Sequence, residues 1–89
     1  MNYRVRIEHE AERQIERLAG NIRQRIKRTI AELAFEPRPA HAKQMESPYD
    51  DKWRLRLEHY RIIYTIEDEI VLVTVIRVAK RTSSTYDDL

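Results

Sequence analysis

The sequence predicts an α+β fold, an antiparallel-dominated sheet with a helical hairpin packed on one face. Three observations predict it. Residues 2–8 alternate between apolar and polar or charged side chains, residues 11–33 switch to helical spacing, and three further strand-like runs fill residues 52–78. The order is β-α-α-β-β-β, and 89 residues make one domain, 1–89. Both helices and strands must bury an apolar face against each other, so the far side of the sheet is expected to stay open.

In the first strand Tyr3, Val5 and Ile7 alternate with Arg4, Arg6 and Glu8. Ala11, Ile15, Leu18 and Ala19 then recur at helical spacing. Gly20 follows where a left-handed residue ends a helix, and Asn21 with Gln24 starts the next as a capping box. Ile22, Ile26, Ile30 and Leu33 form one apolar stripe. Pro37 and Pro39 end that helix, and residues 36–51 read as loop. Residues 52–58 and 60–67 alternate as strands. Residues 70–78, IVLVTVIRV, are β-branched and nearly continuous, as a strand buried on both faces should be.

Composition narrows the function classes. A domain this small buries only roughly 60–65% of its unfolded surface, so local rule-breaking should have a reason. There is no cysteine, hence no disulfide framework and no cysteine-based zinc site. The charged opening, MNYRVRIEHE, contains no secretory h-region. No window approaches the roughly 18 apolar residues of a membrane span. A soluble cytoplasmic protein without membrane contact is the expectation. The net charge of +2 and pI near 9.1 point mildly to an anionic partner.

The arrangement of the charges is more telling. A two-residue turn at Glu58 and His59 pairs Leu57 with Tyr60, Leu55 with Ile62 and Trp53 with Tyr64. A slip of one residue would bury arginines, so the register is constrained. That register sets Arg56 against Arg61, with Arg54 diagonally near. Opposed like charges on a sheet cost about 0.2–1 kcal/mol. A solvated face explains any one of these arginines. Three on one strand pair, on an uncovered face, favour a forked anion site for phosphate oxygens. A second turn at Asp68 and Glu69 sets Ile66 against Val71, Tyr64 against Val73 and Ile62 against Val75. Lys80 and Arg81 then leave the sheet beside the arginines, with Tyr86 on the tail.

The stretch WRLRLEHYRIIY, the apolar strand running into RVAKR and the late tyrosine resemble the RelE toxins of the RelE/ParE superfamily. The resemblance spans nearly the whole chain. It implies a ribosome-dependent endoribonuclease that cuts mRNA in the ribosomal A site, restrained by a RelB-like antitoxin. Operator DNA would be reached only through the antitoxin complex. It assigns catalytic roles to Arg54, Arg56, Arg61, Arg81 and Tyr86. Lys43, Lys52 and Lys80 are the neighbouring RNA-binding candidates. Some relatives carry lysines where Arg54 and Arg56 stand, and glycine is common at the position of Ala79. The implied chemistry is attack of a 2′-hydroxyl on the adjacent phosphate, and it requires no metal or cofactor.

Other readings remain at this point. ParE-like relatives share the fold but poison DNA gyrase, and a non-catalytic RNA- or ribosome-binding module also fits a basic face. His59 beside Glu58 would suit a histidine-based nuclease, whereas His9 and His41 are scattered. Arg23, Arg25, Lys27 and Arg28 read chiefly as a solvated helix face.

Overall fold

The longest β-branched run in the chain becomes an internal strand with partners on both sides. In the computed structural model, which describes residues 2–81, the elements are β1 (Arg4–Ile7), α1 (His9–Glu16), α2 (Gly20–Glu32), β2 (Ala42–Gln44), β3 (Lys52–Leu57), β4 (Tyr60–Glu67) and β5 (Leu72–Lys80). A single 3-10 turn, Asp68–Ile70, joins the last two strands. The sheet order is β1-β5-β4-β3-β2. β1 runs parallel to β5, and the other neighbours are antiparallel.

The helical hairpin covers one face. Ala11 and Ile15 from α1 meet Ile26, Ile30 and Leu33 from α2, over Leu55, Ile62, Tyr64, Val73, Val75 and Val78 of the sheet. These are the positions that periodicity marks as apolar. Burial of each such aliphatic side chain is worth about 1.5–3 kcal/mol. Among the described residues, no helix is long and apolar enough to cross a membrane.

Four expectations need correction. First, Ala42–Gln44 is a strand, pairing with β3 at the sheet edge. Three residues with one apolar inward side chain, Ala42, carry too little alternation to stand out from a loop.

Second, Gly20 is not a left-handed cap; it opens α2, and the helix N-cap is Ala19. The Asn21 side chain accepts from the N–H of Ile22 at 2.9 Å instead of capping. The carbonyls at the end of α1 are served by the Arg23 guanidinium, which donates to Leu18 at 3.3 Å and to Glu16 at 3.5 Å.

Third, the β4–β5 register differs. The turn is longer than two residues, because Val71 takes a left-handed conformation after the 3-10 turn. Ile66 therefore faces Val73 and Tyr64 faces Val75, while a bulge shifts Ile62 on to Val78.

Fourth, the second face is not uniformly bare. Ile63 at its centre is only 1% exposed. It lies between Arg54 and Arg77 in register, and long arginine stems cover apolar neighbours.

Far from the Glu58–His59 turn, three side chains tie the molecule together. The Tyr3 hydroxyl donates to Asp68 at 2.6 Å, and Arg38 donates to both Asp68 oxygens at 3.2 and 2.7 Å. The Arg38 guanidinium also sits over the Trp53 ring, 5.4 Å from its centroid. Hydrogen bonds from Arg38 and then from Tyr3 hold the Asp68 carboxyl below the usual carboxylate range.

Candidate functional site

The β3–β4 hairpin has the register read from its alternation. Leu57 pairs with Tyr60, Leu55 with Ile62 and Trp53 with Tyr64, so Arg56 stands opposite Arg61. Glu58 holds a positive φ of 54° at the tip. That conformation costs a non-glycine residue about 1–2 kcal/mol. Local contacts meet it: the Glu58 carboxylate forms an ion pair with Arg25 on α2, and its carbonyl accepts from the Arg81 guanidinium at 3.2 Å.

A β-bulge decides which face the end of β5 presents. Ile63 pairs with Arg77 and Tyr64 with Val75, leaving Ile76 as the extra residue. Before it, Val73 and Val75 face the helices; after it, Val78 does. Arg77 and Ala79 are thereby turned to the face that carries Arg61. Without the extra residue Arg77 would alternate into the core. Past the end of β1, the N–H of Val78 is satisfied by the Gln14 side chain of α1, at 2.7 Å.

Arg81 continues this ladder by one step. Its backbone N–H donates to the His59 carbonyl at 2.5 Å, next to the Tyr60–Lys80 pair. Arg54, Arg56, Arg61 and Arg81 therefore share one face, joined there by Arg77. Opposed residues on neighbouring strands lie about 5 Å apart at Cβ, within the span of a phosphodiester and its flanking groups. Arg61 is 5% exposed, Arg54 half-buried and Arg56 exposed. A guanidinium withdrawn from water binds an anion more strongly than an exposed one. It cannot lose its proton, so these residues supply fixed charge and forked donors, not a base.

The remaining candidates divide. Lys43 pairs with Arg54 across β2–β3, and Lys52 lies two residues before Arg54, so both belong to this face. Lys80 pairs with Tyr60 and so falls on the helix side; the structure does not bring it to the arginines. Tyr86 lies outside the described residues. His9 opens α1, His41 precedes β2 and His59 occupies the hairpin tip, so the three histidines are not gathered. No group of three or more His, Cys, Asp or Glu able to hold a metal occurs among the described residues.

The sequence reasoning left out Arg77, and also Arg4 and Arg6, which lie on the same side of the sheet opposite Leu72 and Thr74. The signal for Arg77 was its position as the single charge in the run IVLVTVIRV, residues 70–78. Strict alternation hid its direction, because a bulge cannot be seen in a two-residue period.

Comparison with known proteins places this geometry. Residues 5–84 match the family described as ParE toxin of type II toxin-antitoxin system, parDE. The chain is 32% identical over 84 residues to mRNA interferase toxin RelE of Escherichia coli (strain K12), covering 94% of this chain and 88% of that one. Its fold is similar to a chain in the RelBE2 toxin-antitoxin complex of Mycobacterium tuberculosis, with a TM-score of 0.82, 27% identity, and coverage of 91% of this chain and 100% of that one. It is equally similar to a chain in the archaeal RelE-RelB complex of Pyrococcus horikoshii OT3, with a TM-score of 0.82, 25% identity, and coverage of 94% and 100%.

Proposed function

The chain belongs to the RelE/ParE superfamily of type II toxin-antitoxin toxins, and from that premise we propose that it is a ribosome-dependent mRNA endoribonuclease. The observation that carries the reading is the shared sheet face of Arg54, Arg56, Arg61, Arg77 and Arg81, with Arg61 nearly withdrawn from water. Similarity to a protein named as an mRNA interferase supports it.

In this mechanism the RNA supplies its own nucleophile. The 2′-oxygen attacks the adjacent phosphorus as its proton leaves, and the bond from phosphorus to the 5′-oxygen breaks. The products are a 2′,3′-cyclic phosphate and a 5′-hydroxyl that has gained a proton. Arg61 and Arg81 hold the phosphoryl oxygens, whose charge grows in the phosphorane, and Arg54 and Arg56 neutralise the backbone. Donors aimed at developing charge lower the barrier without a base. Tyr86 is assigned as base or stacking platform for the displaced nucleotide. Lys43 and Lys52 extend the basic surface toward the flanking strand.

The partners follow. Similar toxins are found in complex with RelB, so a RelB-like antitoxin is the restraining partner here, with the A site of the ribosome as the place of action and the cytoplasm as the compartment. Operator DNA is contacted through the antitoxin complex.

The rival reading, poisoning of DNA gyrase, is favoured by the ParE description of the matching family. The concentration of arginines on one face favours the ribonuclease. Mapping mRNA ends with and without ribosomes tests the choice. Ribosome-dependent ends bearing a cyclic or 3′-phosphate are expected; intact mRNA together with DNA breaks in expressing cells would select the gyrase reading.

A further inference from the structure

The cationic face ends in a cleft that it shares through Arg54 and Lys43. It lies at the β2–β3 edge, has a volume of about 360 Å³, and its lining includes Lys43, Met45, Glu46, Ser47, Tyr49 and Arg54. Ligand pockets run from roughly 300 to 1,000 Å³, so this one suits a single small planar group.

Its walls are held in place. Past β2, the N–H of Met45 donates to Lys52 at 2.9 Å, that of Tyr49 to Glu46 at 2.8 Å, and that of Lys52 to Tyr49 at 2.9 Å. The Gln44 amide nitrogen donates to the Asp50 carbonyl at 2.7 Å. Met45 is 7% exposed and forms an apolar floor.

Arg54 belongs to both cleft and basic face. It is two residues from Arg56, about 7 Å along the strand. A phosphate held at Arg61, whose cross-strand partner is Arg56, therefore leaves the next nucleotide beside the cleft.

The polar lining is mixed: Lys43 and Arg54 bring cations, Ser47 a hydroxyl and Glu46 a carboxyl. Glu46 lines the cleft with carboxyl oxygens, which are acceptors. Adenine, cytosine and guanine each present an amino group to such acceptors. Uracil presents one N–H between two carbonyl oxygens, which a carboxylate repels. Single-stranded RNA is read in this way, by stacking on an aromatic ring and hydrogen bonding along the base edge.

We propose that this cleft receives the base of the nucleotide next to the cut phosphate, stacked on Tyr49, and selects amino-bearing bases over uracil through Glu46. The inference rests on the reading of the chain as an RNA-cutting protein, and it assigns a specificity site to that reaction.

Binding tests it separately from cutting. Short single-stranded RNAs, identical except for one base, are titrated against the full chain at low salt. Adenine, cytosine or guanine is expected to bind about tenfold tighter than uracil. Glu46→Ala is expected to level the four bases, Tyr49→Ala to weaken all of them, and Tyr49→Phe to restore binding because the ring face remains. Equal binding of all four bases by the unaltered protein, or a preference that survives Glu46→Ala, overturns the proposal. Absence of mRNA cutting on ribosomes would count against the ribonuclease reading alone. Should cutting occur, its base preference beside the cut must fall with Glu46→Ala, or the proposal fails there too.

Discussion

Arg56 stands directly opposite Arg61 across the β3–β4 ladder, and Arg61 is only 5% exposed. Both stand on the sheet face away from the helices, where an RNA phosphate would meet two forked donors at once. If so, Arg56→Gln weakens binding of single-stranded RNA by a similar factor for every sequence. The slope of log affinity against log salt should fall by about 0.7. Titrations over a salt series measure it, and an unchanged slope would remove Arg56 from the contact surface.

The bulge at Ile76 is supported from α1. Gln14→Ala would leave the partly buried N–H of Val78 without its acceptor, and such a loss costs about 1–3 kcal/mol. Gln14→Glu retains an acceptor and should recover much of the stability. Urea unfolding of the two variants reads the difference; equal destabilisation would show that the hydrogen bond does not hold the bulge.

At the opposite end of the sheet, Asp68 links acid stability to Tyr3 and Arg38. Its folded-state pKa is lowered, first by the Arg38 hydrogen bonds and then by that of Tyr3. A depressed carboxyl contributes stability above its unfolded pKa and loses it as pH falls through the folded value. Asp68→Asn should therefore melt below the unaltered protein at neutral pH, with the two curves converging in acid. Melting temperature against pH checks this; a constant offset would contradict it.

Tyr64 has the reverse dependence. Burial pushes its phenol up to about 12, and its hydroxyl donates to the Pro37 carbonyl at 2.8 Å. A raised pKa contributes stability that is whole below the unfolded value, near 10, and is lost as pH rises through the folded one. The unaltered protein should weaken across that interval more than Tyr64→Phe does. Phenolate absorbance of the pair isolates this group, and a midpoint near the ordinary tyrosine value would sink the prediction.

Much of this was legible in the sequence because one physical rule governs it. Alternation with a two-residue turn determines the pairing of Arg56 with Arg61, since any slip exposes Leu55 and buries charge. The helical stripe through Ile26, Ile30 and Leu33 is equally plain. What periodicity could not carry were single-residue events. The left-handed Val71 lengthened a turn, and the extra Ile76 reversed the faces beyond it. Those two residues decide where Arg77 and Lys80 lie, so the site was readable on β3 and β4 and misread along β5. β2 was missed because its three residues join the sheet through pairing with β3, a contact that only the fold creates.

The central claim is that arginines from separate strands act together on one RNA phosphate. Arg61→Ala and Arg81→Ala, purified at equal folded amounts, should be compared with the unaltered protein for mRNA cutting on programmed ribosomes. Loss of one such donor is expected to slow cutting about a hundredfold or more, with ribosome binding largely kept. Cutting at the original rate by both variants would contradict the account.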